Sequence, residues 1–230
     1  MSRSTVLIAG ERHEVDIDTS ERLDSSASSD GDGWIDVAPL PVVERRLRLP
    51  GVGVPLLAPF GRRPRTGFRE LTAVDPRLSR LWGRFSVDVG IATERDAKLF
   101  AKRVFDAGKH RMFIVEDGDR YAIRGMCAFD VADENGIRVG RVVELLHDRS
   151  VQGLRAASHV LGLALRAMSD DGAEIARAWS FTHSGSFPAL VRHAFFPRKT
   201  GRTLRVRLGE PELASFASDP RHWYVSLLDE

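Results

Sequence analysis

Residues 137–146 read IRVGRVVELL, and residues 151–169 read VQGLRAASHVLGLALRAMS. The first is an apolar, β-branched run of strand length. The second repeats apolar residues at helical spacing over about five turns. A second strand (173–182) and a shorter helix (187–196) follow. A strand that feeds straight into a helix leaves backbone N–H groups unpaired at the helix start. With the helix dipole, those groups form a ready site for an anion such as a cofactor phosphate.

Upstream, 68–74 predicts a strand. Asp75 offers a helix N-cap with Pro76 at the first helical position, and Leu78, Leu81, Trp82 and Phe85 follow at helical spacing. A second helix is predicted from Thr93, with Ala97, Phe100, Ala101, Val104 and Phe105 forming one stripe that ends at Gly108. Strands at 111–115, 121–131 and 137–146 are separated by two turn signals, Glu116-Asp117-Gly118-Asp119 and Asp133-Glu134-Asn135-Gly136. This predicts an antiparallel meander. Downstream, 203–208 and 223–228 read as strands around a short helix at 211–216.

The first 67 residues are patterned differently. Residues 6–8 and 15–17 suggest a small hairpin around Glu11-Arg12-His13, and the Ser/Asp/Gly-rich stretch 20–33 reads as disordered. Six of the eleven prolines fall in 39–66, which predicts an extended arm without regular structure. The expected division is therefore an acidic, largely disordered segment (1–38), a Pro/Arg-rich arm (39–67) and one folded domain (68–230). Deleting 1–38 is expected to leave that domain folded.

The totals bound the function classes. The 230 residues are 43% hydrophobic and 29% charged, as in ordinary globular proteins. No apolar run approaches the length of a membrane span, and the first ten residues lack a signal-peptide core. The single Cys127 permits no internal disulfide and suits the cytoplasm, where it reads as an inert buried thiol. The net charge of +2 hides nine acids against three bases in 1–38, and seven arginines against two acids in 39–70. The basic stretch reads as a solvated linker rather than a nucleic-acid patch. No Cys/His cluster has zinc spacing and there is no HExxH, so no metal site is expected. Gly51-Val52-Gly53 lacks a third glycine and a following helix, so it is no dinucleotide fingerprint. Ser184-Gly185-Ser186 beside His183 is no hydrolase elbow.

The order strand, two helices, three-strand meander, helix, strand, helix, two strands resembles the GNAT acyltransferase superfamily over 68–230, about 70% of the chain. Within it, the stretches Arg95-Asp96-Ala97 to Lys109-His110-Arg111 and Asp219-Pro220-Arg221-His222-Trp223-Tyr224 are similar to bacterial GNAT-like proteins of cell-surface polysaccharide synthesis. Those proteins often carry two such domains, and here only the arm precedes. The resemblance implies an α/β fold, a mixed sheet with helices on both faces. It also implies acetyl-CoA or another acyl-CoA as cosubstrate. The family's pyrophosphate loop, Gln/Arg-x-x-Gly-x-Gly/Ala, is matched by Gln152-Gly153-Leu154-Arg155-Ala156-Ala157, with Arg155 where the first glycine belongs. The implied cofactor residues are Leu146, Arg149, Val151, Gln152, Gly153, Arg155 and Ala157. The family's second motif, aligned on Phe196, puts Ser184 at its Asn, Val191 at its tyrosine and Phe195 at its glycine. Valine cannot supply the proton that the tyrosine often gives to the leaving thiolate.

Acyl transfer to an amine needs a base and donors that polarise the thioester. Glu144, a carboxylate inside an apolar strand, is the candidate base; the alternative is a salt bridge to Arg141 or Arg177. His193 is the second catalytic candidate, and His147 and His183 flank the same region. Three readings stay open. One is an N-acyltransferase acting on an amine, such as that of an amino-sugar or glycan precursor. Another is a non-catalytic GNAT-like module in a polysaccharide pathway. The third is aminoacyl transfer from a charged RNA. Self-association into a homo-oligomer is also left open.

Overall fold

The computed structural model describes residues 2–8, 11–19, 33–48, 67–106, 108–119 and 121–229. Twelve strands are assigned there, and they form two sheets. In chain order they are β1 (Ser2–Ile8), β2 (Glu11–Asp18), β3 (Trp34–Pro39), β4 (Val42–Arg46), β5 (Phe68–Leu71), β6 (Ile91–Thr93), β7 (Arg111–Glu116), β8 (Ile123–Glu134), β9 (Ile137–His147), β10 (Ile175–Trp179), β11 (Phe196–Pro197) and β12 (Thr203–Leu208). The helices are α1 (Arg77–Phe85), α2 (Ala97–Phe100, continued as a π turn over Ala101–Phe105), α3 (Val151–Asp170), α4 (Phe187–Arg192) and α5 (Ala214–Ala217).

The larger sheet has the order β11-β4-β10-β9-β8-β7-β5 and is antiparallel except for the β9–β10 pair. That parallel pair needs a crossover, and α3 provides it. The β8–β9 hairpin turns on Asn135 (φ 51°) and Gly136 (φ 81°), as the sequence predicts for an Asn-Gly pair. On one face α3 buries Ala157, Val160, Leu161, Ala164, Leu165 and Met168 against β8 and β9. It lies close because a Cβ at Gly125 of β8 would stand 2.9 Å from the Ala157 nitrogen. The other face is covered by α1 and α2, whose Leu78, Leu81, Trp82, Phe85, Phe100 and Val104 pack with Met112, Ile114, Met126 and Tyr224. Cys127 is buried on the α3 face, where desolvation raises its thiol pKa well out of the reactive range.

The smaller sheet has the order β3-β12-β2-β1-β6. Its inner face (Val6, Ile8, Val15, Ile17, Val37, Val206) packs with Val42, Trp179 and Trp223. Several expectations are corrected here. Residues 68–230 do not form a single sheet, because β6 and β12 join this second one. Residues 223–228 are not a strand. Trp223 makes one isolated parallel bridge to Ile91, and Leu227–Asp229 is a 3-10 turn. The second helix starts at Ala97, not Thr93, because Asp96 caps it by accepting from Leu99 N–H (2.7 Å).

The N-terminal hairpin exists, but Glu11, Arg12 and His13 lie inside β2, opposite Ile8, Leu7 and Val6. Residues 34–38, expected in the disordered segment, lie in β3, and residues 39–48 are not an extended arm. The prolines sit at strand ends, with Pro39 closing β3 and Pro41 just ahead of β4, so β4 itself contains no proline and keeps its donors. β4 is thereby an interior strand between β10 and β11, and Pro197 sits on the edge strand where proline is tolerated. The predicted disorder over 20–33, but for Gly33, and the arm from residue 49 to 66 lie outside the described residues.

Candidate functional site: the β9–β10 split and the start of α3

β9 and β10 run side by side from Val139↔Ile175 to Val142↔Ala178. β10 then ends at Trp179 while β9 continues to His147. The divergence has a local cause. β9 pairs with β8 as Phe129↔Val142 and then Ala128↔Glu144, so Val143 is an extra, bulged residue. A bulge bends and twists its strand, here at the end of the paired segment. Beyond it β9 leads directly into α3.

The split is filled by the C-terminal segment. Tyr224 N–H donates to the Ile91 carbonyl (2.9 Å), and its side chain reaches Glu144. Glu144 has 0% exposure. Its carboxylate accepts from Arg95 Nε (2.9 Å), Ser226 Oγ (2.9 Å), Leu145 N–H (3.0 Å) and the Tyr224 hydroxyl. Arg95, also 0% exposed, turns its other edge to Asp229 (2.5 Å) and lies over the rings of Trp82 and Tyr224. Burial beside Glu144 pushes the Tyr224 hydroxyl pKa well up, which keeps it protonated and a donor. A carboxylate with four donors and no solvent contact is built to hold structure. The ion-pair alternative thus has geometric support, with Arg95 as the partner. Arg141 pairs instead with Asp130, and Arg177 with Glu44 and Glu134.

At its tip the split is bridged. His147 Nε2 donates to the Gly185 carbonyl (2.8 Å), and His183 Nε2 lies 3.1 Å from the Trp223 carbonyl. Neither Arg155 nor Phe195 plugs the opening. Arg155 is exposed on α3, and Phe195 is buried with α3 in the core.

The start of α3 is the anion-oriented part of the site. Ser150 caps it, accepting from Gly153 N–H (2.9 Å). Asp148 accepts from Ser150 N–H (3.1 Å) and the Ser150 hydroxyl, and pairs with Arg124 (2.8 Å). Arg124 and Ser150 hold the Asp148 carboxyl below its usual range despite its burial. The chain thus places its own carboxylate, Asp148, against the first turn of α3.

The predicted cofactor residues divide accordingly. Val151 (66% exposed), Gln152 and Arg155 face solvent around the first turn. Leu146 and Ala157 are buried in the core and present no side chain to a ligand. Arg149 is engaged with α1: its Nε donates to the Phe85 carbonyl (2.8 Å), and its guanidinium lies over the Phe85 ring. Gly153 is required by close approach, since a Cβ there would fall on the Asp148 carbonyl and carboxylate. Gly153→Ala is therefore expected to destabilise the protein by about 1–3 kcal/mol, against the gain of about 1 kcal/mol that alanine brings to an open helix site. Chemical denaturation checks the sign.

His193 is buried at the end of α4, and its Nε2 hydrogen-bonds the Ser158 carbonyl (2.7 Å) on α3. Desolvation lowers its pKa, which favours the neutral imidazole. It ties α4 to α3 and lies under the helix, apart from the split. α4 closes by two reverse bonds, Ala194 N–H to the Val191 carbonyl (2.9 Å) and Phe195 N–H to the Leu190 carbonyl (3.1 Å). The left-handed residue of that closure, where glycine is favoured, is Ala194 (φ 57°). The second-motif alignment is therefore one residue out of step with the helix it describes.

The sequence reading missed Arg95, Tyr224, Ser226 and Asp229 as a group. The available signal was Glu144 itself, because a carboxylate inside an apolar strand demands a cation and donors from elsewhere.

This architecture is the GNAT-type N-acyltransferase fold: a meander whose third strand, bulged, feeds a long helix and runs parallel to the next strand. N-myristoyltransferase from Saccharomyces cerevisiae with bound myristoyl-CoA superposes with a TM-score of 0.60 at 11% identity, over 89% of this chain and 64% of that one. A probable N-acyltransferase from Enterococcus faecalis V583 gives 0.58 at 8% identity, over 90% and 57%. A GCN5-related N-acetyltransferase from Anabaena variabilis gives 0.50 at 9% identity, over 84% and 45%. The chain spans less than two thirds of the length of these structures, and at such identities the likeness is one of fold. No protein-family model and no curated protein sequence matches the chain. Among the described residues no helix is long and apolar enough to cross a membrane.

Proposed function

We propose that the protein is an acyl-CoA-dependent N-acyltransferase. The observation that carries this reading is the bulged β9, which leaves β10 and delivers Val151, Gln152 and Arg155, all solvent-facing, at the start of a 20-residue helix. The pyrophosphate of the cosubstrate docks at that helix start, held by backbone N–H groups and Arg155. The acyl group then points along β9 toward the split. The acceptor is an amine, and an amino-sugar or glycan precursor remains one candidate among amines. Glu144 serves as a positioning residue that anchors the C-terminal segment beside β9. Acetyl-CoA and longer acyl-CoAs are the cosubstrates to compare; the myristoyl-CoA bound to the yeast neighbour argues for including a long chain.

A second reading is a non-catalytic GNAT-fold module. The His147–Gly185 bridge and the saturated Glu144 favour it, because both close the split that a transferase would use.

Arg155 separates the two. It is exposed and makes no ion pair among the described residues, so its removal leaves the fold intact. A charge-assisted bond to phosphate is worth about 1.5–3 kcal/mol. Arg155→Ala is thus expected to weaken acyl-CoA binding about tenfold or more by calorimetric titration. An unchanged affinity in a folded variant would remove the helix start from the cofactor site.

A further inference from the structure

On the sheet face away from α3, four strands present a ladder of charges at directly opposed positions. Asp130 (β8) faces Arg141 (β9), Arg141 faces Arg177 (β10), and Arg177 faces Glu44 (β4). The outer contacts are ion pairs: Arg141–Asp130 at 2.5 Å and Arg177–Glu44 at 2.7 Å. The central contact sets two guanidinium-bearing residues side by side. Like charges directly opposed across strands are unfavourable, and the carboxylates Asp130, Glu44 and Glu134 offset this pair from its flanks. Two cavities open on this floor, of about 320 and 740 Å³, and Arg141 and Leu227 stand on the walls of both. Their size suits a small metabolite.

The walls add more positive charge. The chain has only four lysines, and three of them, Lys102, Lys109 and Lys199, line these cavities. All three are exposed and make no ion pair among the described residues. Together the two linings carry eight Lys or Arg side chains against the three acids Glu44, Asp133 and Glu134. The Thr200 hydroxyl in the larger cavity is buried without a hydrogen-bond partner. Val143, the bulged residue of β9, lines the smaller cavity, so the groove reaches the same strand that feeds the proposed cofactor site.

We infer that this groove binds the acceptor, and that the acceptor is a small amine carrying a phosphate or diphosphate group. The phosphate lies over the Arg141–Arg177 pair with the three lysines around it. The acceptor role rests on the acyltransferase reading; the anion site does not. A neutral or cationic amine gains nothing from such a lining, whereas a phosphate replaces the solvent that now screens it.

The test is a calorimetric titration of the full chain with inorganic pyrophosphate at low salt, with and without saturating acetyl-CoA. It compares wild type with the triple variant Lys102→Gln/Lys109→Gln/Lys199→Gln. Three exposed, unpaired lysines can be neutralised without cost to the fold, which a thermal melt checks. With acetyl-CoA saturating the start of α3, wild type is expected still to bind pyrophosphate in the groove. The triple variant should bind it at least tenfold more weakly while keeping its acetyl-CoA affinity, and Arg155→Ala should do the reverse. No pyrophosphate binding by wild type once acetyl-CoA saturates the start of α3, or equal binding by the triple variant under that condition, would each overturn the inference. Lysine-dependent pyrophosphate binding without any acetyl-CoA binding would keep the anion site and remove the acyltransferase reading.

Discussion

Arg95→Ala is expected to lower the unfolding midpoint by about 6–20 °C. The guanidinium and the Glu144 carboxylate are both fully buried, 2.9 Å apart. Removing one member of such a pair costs about 3–5 kcal/mol, because the other is left charged in the interior. For a domain of this size each kcal/mol moves the midpoint by about 2–4 °C. The loss extends beyond Glu144, since Asp229 also accepts from Arg95 and the cation lies against Trp82 and Tyr224. Glu144→Ala should be damaging on the same scale, and the double variant less so than the sum, because the two changes remove one shared interaction. Thermal melts of the three variants give the answer. A fall under about 1 kcal/mol for either single variant would show that this network does not hold the C-terminal segment in the split.

Removal of residues 1–38 is expected to abolish cooperative folding, the reverse of what the sequence alone suggests. Those residues supply β1, β2 and β3, three of the five strands in the smaller sheet. Without them β6 and β12, which are not neighbours, have no strand to pair with in that sheet. Five buried side chains go too: Val6, Ile8, Val15, Ile17 and Val37. Burying each is worth about 1.5–3 kcal/mol, so the sum is on the order of 10 kcal/mol. Typical domains are stable by only about 5–15 kcal/mol in total. The exposed faces of Trp179 and Trp223 would also favour aggregation. Circular dichroism of the truncated chain during heating, with its solubility, is the check. A sharp transition near that of the full chain would return the hairpin to the status of an appendage.

What the sequence made legible follows from the range of the forces involved. The meander, the α3 crossover and the Asn135-Gly136 turn are local, set by residue periodicity and by backbone angles that Asn and Gly tolerate. They appeared within about three residues of their predicted places. The same local logic failed for β4. Proline density was taken over the whole stretch, whereas the prolines bracket Val42–Arg46 instead of interrupting it. The hairpin β1–β2 was visible, but its docking on β6 and β12 was not, because pairing across eighty or more residues leaves no local trace.

The site divides in the same way. The start of α3 and the exposure of Gln152 and Arg155 follow from the strand-to-helix pattern. The partners of Glu144 come from residues 95, 224 and 226, with Asp229 joined through Arg95, and only the fold brings them together. Arg141 and Arg177 were available as candidate partners on spacing alone. The register instead gives them to Asp130, Glu44 and Glu134, and sets them at the floor of the basic groove.

Titration of the full chain with acetyl-CoA and with a longer acyl-CoA tests the central claim most directly. The account predicts saturable binding of at least one of them with a Kd below about 1 mM, weakened about tenfold in Arg155→Ala. Absence of saturable heat at millimolar concentration for both ligands, from a protein that melts cooperatively, would contradict it and leave the closed split as the mark of a non-catalytic module.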